Sequence, residues 1–232
     1  MKTLIVIPAF NEEESIVRVV DHLKEVLPNY DFIVINDGSK DRTAELCREN
    51  GYPLIDQKIN LGLSGTFQCG MKYALKHHYD AVVQFDADGQ HRPEYIPAME
   101  AKLQEGYDIV IGSRFVGGRK PRSMRMFGGN MIELFTFLMT GKVIHDPTSG
   151  MRMYGKRMIS FMAEQINLTP EPDTITYLIR CGAKVTEVPV EMDERIAGES
   201  YLTAWKSMQY MVTVCVSILV IGIFRPRIKL EE

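Results

Sequence analysis

Cysteine is scarce in this chain and is never paired by spacing. Among 232 residues only Cys47, Cys69, Cys181 and Cys215 are cysteines. No C-x-x-C occurs, and no cysteine stands at zinc-site spacing from a histidine. A zinc ribbon and a disulfide scaffold are therefore excluded, and free thiols in a reducing compartment are expected. Basic charge is not in excess: 27 Lys and Arg face 30 Asp and Glu, for a formal net charge of −3. With no aromatic residues interleaved among the cations, no nucleic-acid partner is expected. Phosphate-loop signatures are missing, since neither G-x-G-x-x-G nor G-x-x-x-x-G-K-S/T is present. Glycine and proline are scattered, which excludes collagen-like and low-complexity classes. Long hydrophobic runs are almost lacking. The run Leu4–Ile7 stops at Pro8 and is too short for a signal peptide. One long uncharged stretch remains, Met208–Phe224, flanked by Lys206 and by Arg225, Arg227 and Lys229. As a helix it would be about 25 Å long against a hydrocarbon core of about 30 Å, marginal for spanning. Its basic flanks favour a membrane-associating tail over a core helix. Docking on a small membrane-protein partner or on a second copy is the alternative.

What is present is a folded composition, 45% hydrophobic, with a strand–helix rhythm. Thr3–Pro8, Asp31–Asn36, Ala81–Phe85 and Asp108–Ile111 read as buried strands, with a short one at Leu54-Ile55. Between them, Glu12–Leu27, Asp41–Asn50, Ser64–His77 and Pro93–Glu105 read as helices. This alternation predicts an α/β fold, a Rossmann-like, mostly parallel central sheet with helices on both faces. After residue 112 the rhythm breaks. Ser113–Ile132 holds Arg114, Arg119, Lys120, Arg122 and Arg125, no acid and two glycine pairs, and reads as a loop. Met131–Met139 reads as helical, 146–150 as a turn, Asp173–Cys181 as a helix and Lys184–Met192 as a strand. Residues 1–200 form the expected catalytic unit and 201–232 the helical tail.

In an open α/β sheet ligands bind outside the carboxyl ends of the strands. Four strands are each followed by a polar cluster: Pro8-Ala9-Phe10-Asn11-Glu12, Asn36-Asp37-Gly38-Ser39, Asp86-Ala87-Asp88-Gly89-Gln90 and Gly112-Ser113-Arg114. Asp86 and Asp88, two apart on extended backbone, point to one side, where like charges repel unless a cation sits between them. Their oxygens suit Mg²⁺ or Mn²⁺, with Gln90 as a third candidate ligand and a helix cap as the plain alternative. Asp37 is placed to accept hydrogen bonds from a base or ribose, or to cap the next helix. Glu12 touches the nucleotide or caps its own helix. Pro8, Ala9 and Phe10 offer backbone groups and an aromatic face, while Gly62 and Gly65 allow close approach to a ligand. Arg114 is placed to hold a phosphate.

Taken together, VIPAFNEEESI (6–16), INDGSKDRT (35–43), NLGLSGTFQCG (60–70), QFDADGQHRPE (84–94), IGSRF (111–115), DPTSGMR (146–152), TEVPVEMDER (186–195) and GES (198–200) resemble the family 2 glycosyltransferases of the GT-A fold. The resemblance is to the dolichyl- and polyprenyl-phosphate sugar transferase branch. It implies inverting transfer of a sugar from a nucleotide diphosphate. By that resemblance the first motif, Asp37, Gly62 and the stretch Asp86, Ala87, Asp88 grip the nucleotide, and Asp86, Asp88 and Gln90 hold Mg²⁺ or Mn²⁺. Ser113, Arg114 and Arg125 meet the acceptor phosphate, and Arg195 lies near the diphosphate. Asp88, Arg114 and Asp146 are the implied catalytic residues, Asp146 either as a base or as the holder of the acceptor loop. Two departures stand out. No lysine aligns in Gly198-Glu199-Ser200-Tyr201-Leu202, and Pro170-Glu171-Pro172-Asp173 replaces an aromatic motif.

The expected partners are a nucleotide-sugar donor, a polyprenyl phosphate and the cytoplasmic face of the membrane, where envelope glycans are assembled. A lipid phosphate is already anionic and needs little deprotonation. Transfer to a sugar hydroxyl of a lipid-linked polysaccharide would need a base, with Asp146, Glu171 and Asp173 as candidates. A non-catalytic nucleotide-sugar-binding subunit is the third reading.

Overall fold

A computed structural model describes residues 1–118, 124–165, 168–196 and 204–230, with backbone only for 124–127 and 204–207. The strands are β1 (Thr3–Ala9), β2 (Asp31–Asn36), β3 (Leu54–Asp56), β4 (Ala81–Gln84), β5 (Ile109–Ser113), β6 (Arg152–Gly155) and β7 (Val185–Pro189). The helices are α1 (Ile16–Val26), α2 (Thr43–Glu49), α3 (Gly62–Lys76), α4 (Ile96–Gln104), α5 (Met124–Thr140), α6 (Lys156–Glu164), α7 (Pro172–Arg180) and α8 (Ala204–Phe224). Among the described residues the strands form one sheet in the order β3-β2-β1-β4-β6-β5-β7.

The apolar strands sort their side chains by alternation. Leu4 and Val6 join Ile33, Ile35, Val82, Ile109 and Ile111 on one face, with α3, α6 and α7. Ile5 and Ile7 join Val34, Val83, Val110 and Met153 on the other, with α1 and α4. Each fully buried aliphatic contributes about 1.5–3 kcal/mol, so the continuous run of β1 commits it to the centre of the sheet. α3 lies close on β1 because it presents Gly70, where a Cβ would come 2.7 Å from Val6 Cγ1.

Every pairing is parallel except those of β6, which runs antiparallel to β4 and β5. The β-α-β rhythm does not announce this strand, and α6 behind it is equally absent from that reading. Insertion of β6 has a consequence for the site. Its start, not its end, lies at the carboxyl rim of the parallel strands, so the 146–150 turn is carried there.

The 113–132 segment is not the uniform loop expected. α5 begins at Met124 and takes in the Gly128-Gly129 pair. The physical reason is a helix crossing: a Cβ on Gly128 would coincide with the Met211 side chain of α8. The uncharged stretch 208–224 lies within α8, whose inner face packs Val214, Cys215 and Ile218 onto Ile132 of α5. α8 also packs on α7. Among the described residues no helix is long and apolar enough to cross a membrane.

Candidate functional site

The strand order reverses between β1 and β4, and the crevice outside their carboxyl ends is the switch point of the sheet. The loops after β1 and β2 are tied into one wall. Asn11, at φ 55°, donates its amide to Ser39 Oγ at 2.9 Å and accepts from the Lys40 amide at 3.0 Å. The Glu12 amide donates to Thr43 Oγ1 at 2.9 Å. Asp37 is buried; its amide donates to the Ala9 carbonyl and its Oδ1 accepts from the Leu61 amide at 2.7 Å. That bond draws the start of α3 to the rim. Gly38 is required there, because at φ +68° a Cβ would also lie 2.8 Å from the Ile59 carbonyl carbon. Phe10 remains exposed beside this wall.

On the other side of the crevice, the Asp86 amide donates to Nδ1 of the buried His91 at 3.0 Å, and its Oδ1 accepts from Gln84 Nε2 at 3.2 Å. A Cβ on Gly150 would stand 2.8 Å from Asp86 Oδ2, so the 146–150 turn needs glycine to fit against this carboxylate. Asp88 accepts from the Gln90 amide at 3.0 Å through Oδ1 and from Arg195 Nη2 at 2.9 Å through Oδ2. The segment carrying Arg195 is strapped across the motif. The Ile196 amide donates to the Asp88 carbonyl and the Asp193 amide to the Gln90 carbonyl. Gln90 Nε2 answers with a 3.3 Å bond to the Asp193 carbonyl. Burial pushes the Glu12 carboxyl above its ordinary range; the Ser15 hydroxyl and Arg195 oppose this, and Asp88 and Asp86 add to it. Glu12, Asp86 and Asp88 thus share one field, with Arg195 the cation inside it.

The donor set fits a hard divalent cation, which typically takes one or two carboxylates from the protein and the rest of its oxygens from substrate phosphates and water. Among the described residues no three His, Cys, Asp or Glu side chains gather into a cage for a metal. Asp86 and Asp88 could supply protein oxygens to such an ion, leaving its remaining positions to other ligands.

Across the rim, Arg114 and Asp146 form a forked pair. Arg114 Nε lies 2.7 Å from Asp146 Oδ2 and Nη2 lies 2.8 Å from Oδ1, while the Arg114 amide adds 3.0 Å to Oδ2. Asp146 is 1% exposed, whereas the Arg114 side chain keeps 38% of its surface. These hydrogen bonds hold Arg114 still more firmly protonated. The Asp146 and His145 amides both donate to Glu187 at 2.8 Å. Ser113 Oγ accepts from the Phe115 and Val116 amides and so shapes the turn that presents Arg114. The side chain of Arg125, and residues 198–200, lie outside the described residues.

The carboxyl rim of the sheet thus gathers Pro8, Ala9, Phe10, Glu12, Asp37, Gly62, Asp86, Ala87, Asp88, Gln90, Ser113, Arg114, Asp146 and Arg195, on strand ends, on the loops that follow them and at the start of α3. The reading of single residues passes over His91, Gly150, Arg152 and Glu187, all of which lie inside the quoted motifs. The signal for them was present, but only pairing across strands gives them work. Glu171 and Asp173 are engaged elsewhere, accepting hydrogen bonds from Tyr210 and Ser217 of α8.

Residues 4–161 match the model of the family described as Glycosyl transferase family 2. The chain is 31% identical to the undecaprenyl-phosphate mannosyltransferase of Micrococcus luteus, over 88% of each chain. It is 28% identical to the polyprenol monophosphomannose synthase of Mycolicibacterium smegmatis, over 92% of this chain and 85% of that one. It is 32% identical to the dolichol-phosphate mannosyltransferase of Pyrococcus furiosus, over 91% of this chain and 62% of that one. Among solved structures, the glucosyl-3-phosphoglycerate synthase of Mycobacterium tuberculosis in complex with Mn²⁺, UDP and phosphoglyceric acid aligns with a TM-score of 0.66 at 19% identity. That alignment covers 97% of this chain and 79% of that one, and shares the fold.

Proposed function

Since the chain belongs to glycosyl transferase family 2, in its polyprenyl-phosphate sugar transferase branch, we propose that it moves a sugar, with inversion, from a nucleoside diphosphate to a polyprenyl phosphate. The observation that carries the acceptor is the Arg114–Asp146 pair. A sugar hydroxyl needs a base, and Asp146 has both oxygens held by Arg114 and is shut from solvent. Glu171 and Asp173 are spent on α8. A half-exposed guanidinium whose carboxylate partner is fully engaged by it suits an acceptor that arrives already anionic.

In this reading the wall of Pro8, Ala9, Phe10, Glu12 and Asp37 takes the nucleoside, with Gly62 admitting it closely. Asp86, Asp88 and Gln90 hold the diphosphate end with Mg²⁺ or Mn²⁺, the ions found with UDP in the mycobacterial synthase. Bound there, the cation would neutralise charge on the departing diphosphate. Ser113 shapes the turn from which Arg114, with Arg125, holds a phosphate oxygen of the acceptor in line with the anomeric carbon. The oxygen–carbon bond forms as the bond from that carbon to the diphosphate oxygen breaks. The electron pair leaves on the nucleoside diphosphate, and Arg195 is near enough to follow that charge. No proton need be removed.

The acceptor being a lipid, the site works at a membrane surface, proposed to be the cytoplasmic face. Val212, Val216, Val220, Ile223 and Phe224 of α8, and Leu134, Phe137 and Leu138 of the adjacent α5, are exposed apolar side chains suited to it. The test is release of nucleoside diphosphate from a nucleotide-sugar panel with Mn²⁺. Release that requires undecaprenyl phosphate and is lost in Asp88→Asn supports the reading. Release that is indifferent to lipid phosphate but requires a lipid-linked glycan contradicts it.

A further inference from the structure

Among the described residues Arg152 heads the large side chains that are fully buried, at 1% exposure. It sits in β6 directly opposite Gln84 of β4 and Ile111 of β5. Its Nε donates to the Ser149 carbonyl at 2.8 Å and its Nη2 to the Pro147 carbonyl at 2.7 Å. Nη1 has no hydrogen-bond partner among the described residues, and neither have the buried Gln84 Oε1 and Tyr154 hydroxyl on neighbouring register positions.

Burying a permanent cation is costly, and a strand position in the core would ordinarily hold an apolar residue. Here both bonded arms end on main-chain carbonyls of one short turn. That turn begins at Asp146, whose carbonyl accepts from the Ser149 amide, and it is pinned again by Ser149 Oγ donating to the Gly112 carbonyl at 2.5 Å. Gly112 lies two residues before Arg114 on the strand that presents it. Arg152 is thus bound to two carbonyls of the turn that begins at Asp146, the partner of Arg114. On the other side, its cross-strand neighbour Gln84 donates to Asp86.

We infer that Arg152 is a positioning residue for the acceptor side of the site: it sets the 146–149 turn so that Asp146 aims the Arg114 guanidinium at an anionic oxygen of the acceptor. The inference rests on the acceptor reading above. Arg152 touches no substrate and acts through Arg114, so its loss should be felt more strongly by the acceptor than by the nucleotide, whose side of the site meets this turn where Gly150 lies beside Asp86.

The test is calorimetry on the full chain with farnesyl phosphate as the probe, in the presence of Mn²⁺ and UDP, for wild type, R152K, R114Q and R114Q/R152K. R152K is expected to weaken farnesyl phosphate about tenfold, as for a misaimed group, with a clearly smaller loss of UDP affinity. The double variant is expected to bind no more weakly than R114Q alone, because the effect of Arg152 passes through Arg114. Additive losses, or equal loss of UDP and farnesyl phosphate, would overturn the inference by making Arg152 a general fold residue. R152Q is the second variant; if it and R152K both lose the folded circular dichroism spectrum, the inference is overturned in the same way. Wild-type protein that binds UDP but not farnesyl phosphate overturns the acceptor reading itself, and the positioning role with it.

Discussion

In the proposed mechanism the donor side turns on Asp88, whose carboxylate is shared with Arg195 at 2.9 Å. A guanidinium there competes with any incoming cation. Arg195→Gln should therefore bind Mn²⁺ more tightly than wild type when no nucleotide is present, while turnover falls because the diphosphate loses a positive neighbour. Electron spin resonance of free Mn²⁺ reads the first and initial rates read the second; unchanged Mn²⁺ affinity would contradict the competition. Gly150 is tuned to Asp86 by contact. Gly150→Ala would place a methyl 2.8 Å from Oδ2, and UDP affinity in Mn²⁺ should fall about tenfold or more as the carboxylate is displaced. Glu12 gives a prediction in pH. Its carboxyl is raised above the ordinary 4.5, chiefly by burial. The folded protein therefore binds this proton more readily than the unfolded chain, and the group lowers stability as pH rises from near 4.5 through the folded value. Glu12→Gln should raise the melting temperature at pH 7, and the gain should shrink as the pH is brought down toward 4.5. A gain that grows on acidification would contradict the sign.

Elements decide which of these residues can meet. The strands of the parallel half were legible because Leu4–Ile7, Phe32–Ile35 and Ala81–Val83 are unbroken apolar runs bounded by polar turns. The four clusters that follow strands could then be placed on one rim. β6 was not legible: Arg152 and Gly155 break its pattern, and its antiparallel pairing with β4 and β5 leaves no mark on the strand–helix alternation. The Met131–Met139 part of α5 was legible as a helix, but its first turns read as loop from Gly128-Gly129, since glycine in a helix makes sense only when the crossing helix is known. Gly128→Leu should accordingly unseat α8 from α5 and lower the melting temperature, whereas Gly129→Leu, with nothing within 4 Å of its Cβ position, should do so far less. Gly70→Val tests the α3–β1 approach in the same way, with a destabilisation of about 1–3 kcal/mol from overpacking. Chemical denaturation measures both.

At the scale of the whole molecule, α5 and α8 carry exposed apolar side chains that, under the proposed function, would meet the lipid of the acceptor. Arg225 and Arg227 follow at the end of α8, with the Arg225 guanidinium 4.1 Å over the Tyr177 ring. Co-sedimentation with anionic vesicles should be strong for wild type and fall sharply for Val216→Glu/Val220→Glu, with the fold intact. Equal recovery would contradict a membrane contact through α8. The catalytic claim is tested most directly by the product. Purified protein would be incubated with Mn²⁺, undecaprenyl phosphate and, in turn, UDP-, GDP- and dTDP-sugars, and the lipid fraction read by mass spectrometry. The expected result is undecaprenyl phosphate bearing a single sugar from one donor, absent with Asp88→Asn or a chelator. Donor binding with unmodified lipid phosphate across the whole panel, and transfer instead to a lipid-linked glycan, would contradict it.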